Sequence, residues 1–166
     1  MLLTPILLWF HIFAAVGWLG SAMVFGLLIG PMLPSLTPGT RAELVVKLFP
    51  KYVRYVEGFS IATVTFGVLL VLDIGSGGMS AFSLSTTFGL YITVGAVLAA
   101  LTVVFALVLI APTARKVARL TDEMIKNHGP PSPELPKASA RLRLSATIGL
   151  VLLILVLICM VAGVAG

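Results

Sequence analysis

Charge is scarce in this chain. Asp, Glu, Lys and Arg make up only 10% of its 166 residues, and the mean hydropathy is +1.14. A soluble domain carries about a quarter charged residues. A water-soluble globular fold is therefore excluded, and an integral membrane protein with several spans is expected. Cysteine is nearly absent: Cys159 stands alone in an apolar run, so no disulfide can form within the chain and thiol chemistry is not expected. Histidine is limited to His11 and His128, and the methionines (Met1, Met23, Met32, Met79, Met124, Met160) are scattered. No His- or Met-rich tract marks a soft-metal carrier. The segment 73–87 lacks Lys and Arg and offers no cation to a nucleotide. The net charge of +5 calls for no nucleic acid, because the basic residues fall where anionic lipid would meet them. A cleavable leader is not expected: the first apolar run has no basic n-region and is too long for an h-region.

The run that organises the rest is Leu7 to Pro31, LLWFHIFAAVGWLGSAMVFGLLIGP, with no Lys, Arg, Asp or Glu. At about 25 residues it is long enough to cross a bilayer as a helix. It holds one ionisable side chain, His11, and such a group at membrane depth marks a functional site by default. Trp18 follows two turns later on nearly the same face. Ala14, Ala15, Gly17, Gly20, Ser21 and Ala22 leave room for a neighbouring helix or a flat ligand. A neutral imidazole beside a cleared surface is what a membrane b-type haem needs. The alternatives are a histidine that hydrogen-bonds the next helix, or one that handles protons or a metal.

In chain order, Thr4 and Pro5 open the first helix, Thr4 as N-cap, and Gly30-Pro31 with Pro34 and Pro38 end it. From Thr40 to Tyr55 the pattern predicts a short amphipathic helix along the membrane surface, broken at Pro50. The second span runs over 56–72, with Ser60, Thr63, Thr65 and Gly67 as helix-contact residues. Asp73 is expected to be solvated, and Glu57 to pair with Arg54 at i−3. The third span covers 88–111 and closes at Pro112. A polar segment follows, helical at first and then proline-rich at GPPSPELP. The last span covers 144–164. The expected fold is all-α: a single transmembrane domain over 1–166, built as a four-helix up-and-down bundle with spans at 5–30, 56–72, 88–111 and 144–164.

Arg41, Lys47, Lys51 and Arg54 occupy the loop 31–55, and the remaining Lys and Arg occupy 112–143. By the positive-inside rule both loops are cytoplasmic, so both termini face outward from a plasma or inner membrane. A repeat of two helix pairs is visible: FGLLIGP ends the first span and FALVLIAP the third, each followed by a basic segment. Matching Phe25 to Phe105 sets Tyr91 at the place of His11. Tyr91 and Thr93 lie near the depth of His11, where each could donate a hydrogen bond to it or to a haem propionate. Met160 lies at a similar depth as a candidate second iron ligand or a core filler. His128 falls at the opposite side of the bilayer. A five-coordinate iron, or His11 from two chains of a homo-oligomer around one haem, are the other options.

The set His11, Trp18, Gly20-Ser21 and Pro31 resembles the first helix of the CopD-like membrane proteins. That group includes the copper-resistance protein CopD, the haem-binding protoporphyrinogen oxidase HemJ and other four-helix relatives. Lys51, Arg54, Gly67, Pro112 and Arg143 also stand where these relatives have basic residues, a mid-helix Gly, a helix-ending Pro and an Arg before the last span. The resemblance implies haem b held through His11; by face and depth, Trp18, Ala15, Tyr91 and Thr93 are the residues expected around the macrocycle. The function expected is a b-type cytochrome that carries electrons, taken from a quinol or from a membrane or periplasmic redox protein, or that reacts with a small oxidant. A non-enzymatic subunit or copper-transport accessory of CopD type is the alternative. HemJ-like oxidase activity is the second, and the absence of His and Lys from 91–110 departs from it.

Overall fold

The computed structural model describes residues 3–74 and 82–165, and those residues form helices without a strand. Part of the loop expected at 73–87 lies outside them. Four long helices dominate: α1 (Leu3–Ser35), α2 (Pro38–Ile74), α3 (Thr87–Lys126) and α4 (Glu134–Ala165). Each is long and apolar enough to cross a membrane. Each is also longer than its expected span. At about 1.5 Å per residue, helices of this size exceed a hydrocarbon core of about 30 Å.

The extra length lies at the basic end. No helix break occurs at Pro50: α2 runs straight through it. Ala42, Val45, Phe49 and Val53 form one buried stripe at helical spacing that continues into Ser60 and Thr63, so packing on both sides of the proline outweighs its lost hydrogen bond. Val45, Phe49 and Val53 meet Ala111, Ala114, Val117 and Ala118 of α3 and Ala138 of α4 in one apolar cluster. Small alanines on α3 let the helices approach closely. The segment expected as a surface helix is thus the first half of a continuous α2.

Thr86 caps α3, its hydroxyl accepting from Gly89 N–H at 3.0 Å. Thr4, expected as the cap of α1, lies inside the helix and donates its hydroxyl to Asp73 Oδ2 at 2.6 Å. Asp73 is accordingly bound to α1 rather than merely solvated, and the bond ties the far ends of α1 and α2. Glu57 pairs not with Arg54 but with Arg115 of α3, whose Nη2 reaches both carboxylate oxygens at 2.5 and 2.6 Å. Arg54 turns to the Pro50 carbonyl at 3.4 Å. The next residue of α3, Lys116, meets Glu134 of α4 at 2.5 Å and holds that carboxyl below its ordinary range by hydrogen bond and charge.

Helices α1 and α3 share a local feature. Val24–Ile29 and Ala106–Ile110 are π turns, closed by Gly30 N–H to Phe25 O and Ala111 N–H to Ala106 O. Each stops two residues before a proline, Pro31 or Pro112. A proline has no N–H to give and its ring crowds the carbonyl four residues back, and the widened turn relieves that crowding.

Phe49 is the largest side chain of the apolar cluster. Phe49→Ala is expected to cost about 3–5 kcal/mol. Thermal unfolding in detergent should show a clearly lower midpoint. An unchanged midpoint would mean that the basic ends of the helices do not hold one another.

Candidate functional site

Helix α1 runs antiparallel along α2, and its register is read from side chains. Thr4 meets Asp73, Phe10 stacks on Phe66 at 5.1 Å, Phe13 tilts onto Phe59 at 5.9 Å, and Phe25 stacks on Tyr52 at 4.2 Å. Between these aromatic pairs lies His11. Its Nδ1 is 2.8 Å from the Thr63 carbonyl oxygen. A carbonyl only accepts, so Nδ1 carries the proton and donates it. In the neutral ring Nε2 is then left with its lone pair.

The ring lies on Gly67. A Cβ at that position would come 3.0 Å from His11 Cε1 and 3.2 Å from Nδ1, so glycine gives the imidazole room against the backbone of α2 and any side chain there would push the ring away. Thr63 is buried and spends its own hydroxyl on the Phe59 carbonyl at 2.8 Å, leaving its carbonyl oxygen to serve His11. Ser60 does the same with Glu57, donating at 3.0 Å. Thr65, expected on this contact face, points outward. Among the described residues Nε2 has no hydrogen-bond partner, and no buried side-chain nitrogen is left without one. Nε2 is therefore open to its surroundings rather than sealed in the core.

The other expected site residues divide. Trp18 is 3% exposed and packs as a core residue beside Ala14, so it is not a free platform for a macrocycle. Ala15 is half-buried on the His11 side of α1, about 40° around the helix from it. Tyr91 and Thr93 belong to the other helix pair. The Tyr91 Cβ lies near Gly163 of α4, and the Thr93 hydroxyl goes to the Gly89 carbonyl of its own helix at 2.7 Å. The donor-acceptor partner of His11 comes from α2 instead. Met160 packs on Gly95, its Cε 3.1 Å from where a Cβ would stand, so the thioether fills the α3–α4 contact. The residues that sequence reasoning missed at His11 are the Thr63 carbonyl and the role of Gly67. A small residue beside a histidine-bearing helix was the only signal for the second, and a main-chain acceptor leaves none for the first.

The described residues contain no group of three His, Cys, Asp or Glu able to hold a bare metal ion. What the site offers is one oriented imidazole. No protein-family model, curated protein or solved structure matches the chain.

The hydrogen bond fixes a tautomer that can be read directly. Nitrogen-15 NMR of ligand-free protein should report Nδ1–H and a bare Nε2 at His11. Gly67→Val should abolish that signature by pushing the ring off Thr63. An Nε2–H tautomer in the wild type would overturn the geometry.

Proposed function

We propose that this chain is a membrane b-type haem protein whose iron is held by His11. The observation that carries the reading is the bond from Nδ1–H to the Thr63 carbonyl. A metal-bound histidine almost always donates its second ring N–H to such an acceptor, which fixes the ring and raises its basicity. A porphyrin brings four nitrogens of its own, so a single protein imidazole suffices where a bare ion would need several ligands. That difference favours haem over a copper-transport role. The likeness of the His11–Trp18–Gly20 helix to CopD-like proteins supports the same reading. Bound haem supplies one-electron chemistry. The protein's part is to orient His11, to keep its Nδ1 proton on Thr63 and to exclude water from this depth.

Both termini face outward and the basic ends face the cytoplasm of a plasma or inner membrane, in a four-helix bundle of two hairpins. The paired π turns support an internal repeat. One more residue separates Phe105 from Pro112 than separates Phe25 from Pro31, so matching the prolines sets Ile92, beside Tyr91, opposite the glycine of α4. The second hairpin thus has Gly163 where the first has Gly67, but no histidine to lay on it. Among the described residues, the imidazole at this height belongs to the first hairpin. Electrons come from a quinol or a redox protein, and a homo-oligomer sharing haem between two His11 side chains is compatible with this site. The second reading, a packing histidine, is favoured by the same Thr63 bond.

Oxidised and dithionite-reduced spectra of detergent-purified protein separate the two. The wild type should show a Soret band and a sharp reduced α-band. Both should be lost in His11→Ala. A wild type that stays colourless after haem is added would leave His11 as a packing residue.

A further inference from the structure

A groove of about 620 Å³ runs between α1 and α2 on a different flank from His11. At about 100° per residue, Gly20 lies about 180° around α1 from His11. Val16, Gly17, Gly20 and Val24 line one wall, and Leu48, Lys51, Tyr52 and Tyr55 the other. Its size falls within the range of ligand pockets, about 300–1,000 Å³. Gly20 forms an open floor, with nothing within 4 Å of where its Cβ would stand.

The polar groups in the groove are almost all spent inside the protein. The Tyr52 hydroxyl donates to the Ser21 carbonyl at 3.3 Å, and the Ser21 hydroxyl to the Trp18 carbonyl at 2.8 Å. What remains among the described residues is two donors, the Lys51 ammonium and the Tyr55 hydroxyl. No acid is left for Lys51. Glu43, Glu57, Asp122, Glu123 and Glu134 pair with Lys47, Arg115, Lys126, Arg119 and Lys116. Asp73 is at the far end on Thr4. The uncompensated cations all stand on the first halves of α2 and α4.

The groove also sits at an unusual height. Tyr52 meets Ser21 and Phe25, so Lys51 stands level with a point beyond the middle of α1, which continues past it without a charge. Leu27 and Leu28, past that level, are 57% and 64% exposed. A purely apolar helix beside an unpaired lysine matches an amphiphile with an anionic head. A second copy docked by two-fold symmetry would bring Lys51 against Lys51 in a poorly screened setting.

We propose that this groove binds one anionic phospholipid of the surrounding leaflet, an acyl chain lying over Gly17, Gly20 and Val24 and the phosphate held by Lys51 and Tyr55. The inference rests on the chain's insertion in a membrane and not on haem, so a colourless protein leaves it standing. Native mass spectrometry of detergent-purified protein, titrated with phosphatidylglycerol or phosphatidylcholine, tests it. The wild type should retain phosphatidylglycerol in preference. Lys51→Gln should weaken that binding about five-fold, the change that about 1 kcal/mol per lysine gives, and Lys51→Arg should restore it. Gly20→Leu should remove the adduct of either lipid with the helical circular dichroism unchanged. Lys137→Gln, a cation off the groove, should leave binding intact. Equal retention of both lipids, or no effect of Lys51→Gln or Gly20→Leu, would overturn the site. So would a dimer, lost in Gly20→Leu, with no lipid adduct.

Discussion

The hydrogen bond from His11 to the Thr63 carbonyl is the constraint around which the first helix pair is arranged. Polar groups in an apolar setting must be satisfied internally, and an imidazole cannot reach a neighbouring helix's backbone across a side chain. Gly67 removes that side chain. Phe10 on Phe66 and Phe13 on Phe59 then hold the two helices in register on either side of the ring. The bond uses one nitrogen and thereby defines the other, which is the link from packing to chemistry: a ring held this way presents Nε2 and nothing else.

The two ends of the molecule are held by different physics. At the far end, among the described residues, the bond from Thr4 to Asp73 joins α1 and α2. At the basic end the helices run past the length a bilayer needs and bury an apolar cluster around Phe49 under a layer of ion pairs. Exposed pairs of this kind contribute little stability each, about 0–1 kcal/mol. Their larger effect is on charge balance. By using up the acids of that end, they leave Lys51, Arg54 and the cations of α4 unopposed. The apolar second half of α1 stands beside that positive field, and the groove lies where the two meet.

Much of this was legible in the chain. The dearth of charge, the long apolar runs and the positions of Pro31 and Pro112 gave four apolar helices with the basic residues at one end. His11 stood out because it is the one ionisable group in its run. The break expected at Pro50 did not occur, since the stripe from Ala42 to Ser60 keeps its face across the proline and tertiary packing overrides the local penalty. The pairing of Glu57 with Arg54 looked adequate by spacing alone. Arg115 took the place because α3 brings a guanidinium to the same height, which no local pattern encodes.

The sequence by itself determined the all-helical class of the chain and the number of its long apolar helices, and it singled out His11 as a candidate, because hydropathy, charge and helix period are properties of segments. Only the tertiary structure decided what each polar group meets. It gave His11 a main-chain partner, turned Trp18 into core, set Met160 on Gly95 and separated the small-residue face of α1 into a helix contact and a groove. Those outcomes depend on the height and rotation at which one helix passes another, and that is fixed by many weak contacts summed over the whole length of both.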